Sequence, residues 1–204
     1  MPLPRCFDAL KAAAREIGGI QIQNRGTVAG NLCNASPAAD SVPPLLALDA
    51  EVELVSHAGK RRIPLADFII GNRKTMRQPA EVLSQVLVPN RLDNATSIFL
   101  KLGARRYLVI SIVMVAVVID KDAANHVCEA RVSVGSCSTV ARRFVELERA
   151  LIGVPVASGM GALATADHLK ALSPISDIRA TAIYRRDAAL HLVQRALDAC
   201  AGSS

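Results

Sequence analysis

The 204-residue chain reads as an α+β protein, on three observations. Three apolar stretches rich in β-branched residues, 97–102, 109–119 and 127–134, lie close enough in the chain to pair as one sheet. Stretches of helical composition at 139–151, 161–172 and 180–199 follow those strands instead of alternating with them, which segregates helices from sheet. Ahead of both, 51–56 alternates, His57-Ala58-Gly59-Lys60 makes a turn and 61–64 returns, a β-hairpin of its own.

Along the chain, Phe7 to Ile17 is helix-forming, with Leu10, Ala13, Ala14 and Ile17 on one face, and Gly18-Gly19 ends it. Ile20 and Ile22 indicate a brief extended piece leading into a loop that lasts to Asp40. Ser41 to Leu48 sets prolines in a first turn and continues as a short apolar helix. After the hairpin, Leu83 to Val88 is a further strand, ended by Pro89-Asn90. Between Leu92 and Thr96 the composition turns polar, and a second module of about 100 residues begins, a common domain size. There the helical stretch from Thr139 to Leu151 places Val140, Phe144, Leu147 and Leu151 on one face.

Composition narrows the function classes. Apolar residues make up 51% of the chain and aromatic residues 3%, so the core is built from Val, Leu, Ile and Ala. Stacking platforms for single-stranded nucleic acid are scarce, and the net charge of +6 is scattered rather than gathered into a basic run, which argues against nucleic-acid binding. The five cysteines, at 6, 33, 128, 137 and 200, form no C-x-x-C pair, which argues against a zinc ribbon or a local iron–sulfur cradle and for free, buried thiols. The most apolar run, 108–119, is too short to span a bilayer, and residues 1–7 lack the apolar segment of a signal peptide, so the expectation is a cytoplasmic protein. The histidines at 57, 126, 168 and 191 are isolated, and no hydrolase, zincin or Walker motif is present. Tyr184-Arg185-Arg186 opens the last helix and is expected to pair with local carboxylates such as Asp177 or Asp187.

The densest chemistry lies between Ile22 and Asp40. Gly26 and Gly30 are expected to supply backbone angles that side chains forbid, while Asn24, Thr27, Asn31 and Asn34 supply short polar groups. Such a stretch exposes several backbone N–H groups together, which suits an anionic phosphate; it is equally the composition of a plain turn. Thr27 and Asn31 could donate to a phosphate oxygen or only shape the turn. Asp40 and Ser36 could bind a ligand hydroxyl, hold loop amides or cap the next helix. Lys101 sits in the apolar strand I-F-L-K-L, where a charge needs either solvent or an anion, and an outward-facing lysine is the plain alternative. Leu83 and Ile17 read as core residues.

The block from Gly26 to Ala50, G-T-V-A-G-N-L-C-N-A-S-P-A-A-D-S-V-P-P-L-L-A-L-D-A, resembles the second flavin-binding motif of the FAD-binding subunit of molybdenum hydroxylases. This is the family of xanthine dehydrogenases and carbon monoxide dehydrogenases. The similarity continues through Gly59-Lys60-Arg61-Arg62, Asp67-Phe68, Gly71 to Thr75, Lys101 to Arg106, Asp177-Ile178-Arg179 and Tyr184-Arg185-Arg186, in the family's order. The resemblance implies a partial PCMH-type FAD-binding domain over 1–92, then a C-terminal α+β domain over 93–204 in which helices cover a three-stranded antiparallel sheet. It implies FAD on this chain, with molybdopterin on a large partner subunit and 2Fe-2S clusters on a small one. Electrons would pass from the clusters through FAD to NAD or another acceptor. Carried over position by position, the motif implies flavin contacts at Thr27, Ala29, Gly30, Asn31, Ser36 and Asp40, with further contacts at Ile17, Leu83 and Lys101, and no catalytic residue for the substrate chemistry.

The departures from the family bear on the same site. Ala29-Gly30 stands where two glycines are usual, and a positive φ at position 29 would cost an alanine about 1–2 kcal/mol. Gln23 replaces a common arginine, and an acidic residue usual near Leu108-Val109 is absent. The chain begins after the family's Gly-Gly-Thr segment, so it is expected to fold at least in its second module but not to retain FAD through purification. The alternative from another class is a degenerate structural or assembly remnant that no longer binds flavin.

Overall fold

The computed structural model describes residues 3–92 and 94–202. The module boundary expected between 92 and 93 falls on Asp93, outside the described residues. In chain order the first half holds helices α1 (Asp8–Glu16), α2 (Ile20–Gln23), α3 (Val28–Asn34) and α4 (Val42–Ala47), then β1 (Glu51–Ser56), β2 (Gly59–Pro64), α5 (Leu65–Phe68), β3 (Ile69–Gly71), β4 (Lys74–Thr75) and β5 (Val82–Leu87). The second half holds β6 (Thr96–Leu102), β7 (Val113–Lys121), β8 (Val127–Gly135), β9 (Arg142–Arg143), α6 (Val145–Leu151) and α7 (Ala182–Ala201). Strands β2-β1-β5 form one antiparallel sheet, β3-β4 a small ribbon, and β6-β7-β8-β9 the largest sheet. Among the described residues no helix is long and apolar enough to cross a membrane.

Local departures from expectation have physical causes. Ile20 and Ile22 lie in a helical turn, closed by Ile22 N and Gln23 N donating to Gly19 O, and not in an extended piece. The second strand of the large sheet starts at Val113, not at 109, because Leu108 takes a positive φ of 54° and the chain rejoins the sheet only where Ile112 N donates to Leu102 O at 2.8 Å. Residues 139–144 are not helical: Arg142 and Arg143 pair with Val134 and Ser133 as a two-residue edge strand beside the expected three. Phe144 N then donates to Val132 O, and the helix begins at Val145. In place of a helix over 161–172 there are two short 3₁₀ turns, Met160–Leu163 and Asp167–Leu169. The first is held by Asp198, which accepts from Gly159 N at 3.1 Å and Gly161 N at 2.8 Å. Cys6, Cys137 and Cys200 are buried cysteines, Cys33 is half-buried, and Cys128 is exposed, contrary to the expectation of burial. Burial pushes the Cys137 and Cys200 thiols up to about 12.

Strand β7 explains why the sequence V-M-V-A-V-V-I has no polar alternation: both of its faces are covered. Val113, Val115, Val117 and Ile119 face a core completed by Val132, Val134, Leu147, Leu151, Val193 and Leu197, all from the second half. Met114, Ala116 and Val118 face Cys6, Ala9, Ala13, Ala47 and Leu48 from the first. Gly135 makes that second contact possible, since a Cβ there would come within 2.4 Å of Met114 Cε and 2.9 Å of Pro43 Cγ. At the rim of this seam Asp49 accepts from Arg131 Nε at 3.2 Å and pairs with Arg143, which also holds Glu148 at 2.6 Å. The first half keeps a smaller core of its own, with Leu32, Leu45, Leu54, Leu65 and Phe68 at its centre.

Candidate functional site

The Gly/Asn stretch is not a loop throughout. Thr27, at φ −124° and ψ 152°, is the N-cap of α3, and its Oγ1 accepts from Gly30 N at 2.9 Å. The N–H groups of Val28 and Ala29 stand in the first turn, where a helix offers no internal acceptor. Neither Gly26 nor Gly30 has a positive φ, so the expected conformational role is replaced by one of space. A Cβ on Gly26 would come within 2.9 Å of Ile22 O, and one on Gly30 within 3.0 Å of Thr27 Oγ1. Ala29 is helical, which removes the expected strain, and its half-buried methyl packs against the first-half core.

Between α1, α2 and the start of α3 lies a cleft of about 350 Å³. Leu10, Ala14, Ile17, Ile22 and Val28 give it an apolar floor, and Arg15, Gln23, Thr27 and Asn31 give it a polar rim, with Ser41 buried in its lining. Ile22 and Val28 are exposed within it, and Ile20 is exposed beside it. Backbone bared by two glycines, open first-turn amides and an apolar floor suit a ligand that joins a flat ring to a phosphate chain; FAD is such a group, and the residues present fit part of it.

Asp40 does not face that cleft as a free acceptor. It is 5% exposed, and both of its oxygens are taken: Ser111 Oγ donates to Oδ1 at 2.5 Å and Lys101 Nζ to Oδ2 at 2.7 Å. Nor does it cap a helix, since Ser41 occupies that position and sends its own hydroxyl to Asn31 Oδ1 at 2.5 Å. Lys101 is likewise not an outward lysine; its side chain is 7% exposed, and Nζ also reaches Glu16 O at 3.5 Å. The buried pair joins the first half of the chain to the second. Taking one partner away would strand a buried charge, a loss of about 3–5 kcal/mol.

The structure thus brings Ile17, Thr27 and Asn31 onto one cleft, with Ala29 and Gly30 on the helix at its edge. Leu83 is buried in the same core as Ala29 and lines none of the cleft surface. Ser36 faces elsewhere, its Oγ accepting from Ala38 N at 3.2 Å, at the mouth of a second cleft of about 330 Å³ between the two halves. Sequence reasoning missed most of that cleft's lining: Asn72, Ser111, Ser136, Ser138, Thr139 and Ser173 are scattered along the chain, and no spacing links them. Arg185 closes it, 3% exposed, donating to Ile112 O at 2.7 Å and Asp177 Oδ1 at 2.8 Å, as its expected pairing with Asp177 requires. Arg185 Nε and Ser136 Oγ are buried without a hydrogen-bond partner among the described residues. The Arg179 backbone amide, with the guanidinium groups of Arg185 and Arg179, holds the Asp177 carboxyl well below the usual range, at about 2.

Residues 3–91 match the family of FAD-binding domains in molybdopterin dehydrogenases, and residues 98–200 match the CO dehydrogenase flavoprotein C-terminal domain. The chain belongs to the flavoprotein-subunit family of molybdopterin dehydrogenases. It is 32% identical over 151 residues to the nicotinate dehydrogenase FAD-subunit of Eubacterium barkeri, covering 72% of this chain and 51% of that protein. It is 31% identical to the 6-hydroxypseudooxynicotine dehydrogenase complex subunit alpha of Paenarthrobacter nicotinovorans, over 92% of this chain and 63% of the relative. For the putative xanthine dehydrogenase FAD-binding subunit of Escherichia coli the figures are 31%, 93% and 64%. The chain therefore spans about half to two thirds of the length of these relatives. Among solved structures, quinoline 2-oxidoreductase from Pseudomonas putida superposes with a TM-score of 0.87 at 25% identity, over 97% of this chain and 68% of that one. Carbon monoxide dehydrogenase from Hydrogenophaga pseudoflava gives 0.85 at 27% identity, over 93% and 65%.

Proposed function

We propose that this chain is a FAD-binding, electron-transferring subunit, or a portion of one, in a molybdopterin-dependent hydroxylase or dehydrogenase, with 1–92 as part of the FAD-binding domain and 93–204 as the C-terminal domain. Partner subunits would carry molybdopterin and the 2Fe-2S clusters. When bound, FAD supplies the redox chemistry, taking electrons from the clusters and passing them to NAD or another acceptor; the chain supplies binding and orientation. The observation that carries this function is the Thr27-capped start of α3 opening on an apolar-floored cleft. In it the first-turn amides of Val28 and Ala29, the bare backbone at Gly30 and the side chains of Thr27 and Asn31 hold phosphate and ribityl oxygens. Ile17 contributes floor for an apolar ring, and Leu83 supports α3 from the core beneath it. Asp40 acts through Lys101, fixing where that ammonium stands, rather than by accepting from the ligand. The hydroxyl-lined second cleft, which adjoins Asp40 through Ser111, is a place for the electron acceptor.

A cleft open on one side leaves a pyrophosphate largely in water, so binding is expected near the micromolar range, about 8 kcal/mol, and lost during gel filtration. Titrating the full chain with FAD should give saturable quenching of flavin fluorescence, with weaker binding in Thr27→Ala and unchanged binding in Arg149→Ala, on the exposed face of α6. Absence of quenching would contradict the proposal and leave a fold that takes no flavin, and equal weakening in both variants would contradict the placement of the site at Thr27.

A further inference from the structure

We propose that Ser111 is a positioning residue, which fastens the 103–111 loop to Asp40 and thereby fixes the orientation of the Asp40–Lys101 pair. Its consequence for flavin rests on the function proposed above; its geometry does not. Ser111 is 2% exposed, and its hydroxyl donates to a carboxylate 71 positions earlier at 2.5 Å, a charge-assisted bond of the strong kind. Asp40 has Lys101 on one oxygen and Ser111 on the other, so the plane of the carboxylate is set from both sides. Without the hydroxyl, one buried oxygen loses its partner and the carboxylate is free to turn, taking the Lys101 ammonium with it.

The same bond holds down a loop that has few other ties. Ala104 to Leu108 and Ile110 are exposed, and Leu108 stands at φ 54°. Arg105 Nη2 reaches Leu108 O at 2.6 Å, a bond within the loop that does not anchor it. Its base is closed by Ile112 N donating to Leu102 O, and its only hydrogen bond to the first half, among the described residues, is the one from Ser111. Ser111 also lines the second cleft, so one hydroxyl touches the loop, the ion pair and that cleft together.

Trypsin reports the loop directly, because Arg105 and Arg106 lie in it and cleavage requires the segment to open. Under conditions where the fold stays intact, Ser111→Ala in the full chain should raise cleavage after Arg105 and Arg106 about tenfold, as expected for losing one charge-assisted bond. Ser111→Thr, which keeps the hydroxyl, should return the rate toward that of the unaltered chain. Asp40→Asn weakens the same bond at constant size; because alone it would strand the buried Lys101, it is made and compared in a Lys101→Met background, where it carries the same test should the alanine variant not fold. Combining S111A with D40N there should add little to either alone. An unchanged cleavage rate in S111A and D40N, or full additivity of the two, would overturn the proposal. A parallel FAD titration separates the two inferences: faster cleavage in S111A with no flavin binding by the unaltered chain would sink the flavin function and leave Ser111 in place. Flavin binding with unchanged cleavage would do the reverse.

Discussion

The two faces of the large sheet are finished in different ways. Helices α6 and α7 cover one face from within the same half of the chain, around Leu147, Val193 and Leu197. The other face is covered by α1 and α4, through small residues such as Ala9, Ala13 and Ala47 that let helix backbones come close. The first face would be built wherever the second half folds; the second exists only when both halves meet. The cleft beside α1 is therefore not appended to a finished domain. One wall of the cleft is α1, whose buried face is part of the seam, and the Asp40–Lys101 pair crosses the same boundary.

If the two faces differ in this way, the largest mutational effect lies at the ion pair. Lys101→Met leaves Asp40 buried with its charge unmatched and should lower stability by about 3–5 kcal/mol, read from urea unfolding. Adding Asp40→Asn should recover most of the loss, since no unpaired charge then remains; no recovery would mean that the pair is not the link across the seam. Somewhat smaller, Leu48→Ala on the seam face and Leu147→Ala on the self-covered face should each cost about 2–5 kcal/mol. Both should shift one common unfolding transition, and a second transition appearing only in Leu48→Ala would show that the seam is not part of the shared core.

The smallest effect is one of pH. The Asp177 carboxyl is lowered from 3.8 to about 2, so the folded state favours its charged form. Its contribution is fully present above about pH 4 and is lost as pH falls toward 2, where the unfolded chain takes up the proton first. Stability measured across that window should fall less steeply in Asp177→Asn than in the unaltered chain, and an identical slope would show that Asp177 adds nothing to the acid stability of the second half.

Much of the fold was legible because periodicity is local. The amphipathic α1, the β1–β2 hairpin and the three long strands of the large sheet all follow from spacing within a few residues. Thr27 as an N-cap was hidden by the glycines and asparagines around it, which read as turn formers although α3 begins there. The stretch 161–172 carried helical composition, yet the Asp198 carboxylate accepting from Gly159 and Gly161 holds a tighter turn. Asp40 was legible as a site candidate and not as a buried ion pair, since its partners lie 61 and 71 positions away. Ser111 gave no signal at all: a single hydroxyl among Val109, Ile110, Ile112 and Val113 has no periodicity to betray it.

Whether flavin held at the α3 cleft is coupled across the seam to the second half can be read from amide hydrogen exchange on the full chain, with and without saturating FAD. Slowed exchange is expected in two places, over 15–31, where the cleft is built, and over 101–111, where Lys101 and Ser111 grip Asp40, with 145–172 unchanged. Protection over 15–31 with none over 101–111, or protection confined to 145–172, would contradict that coupling.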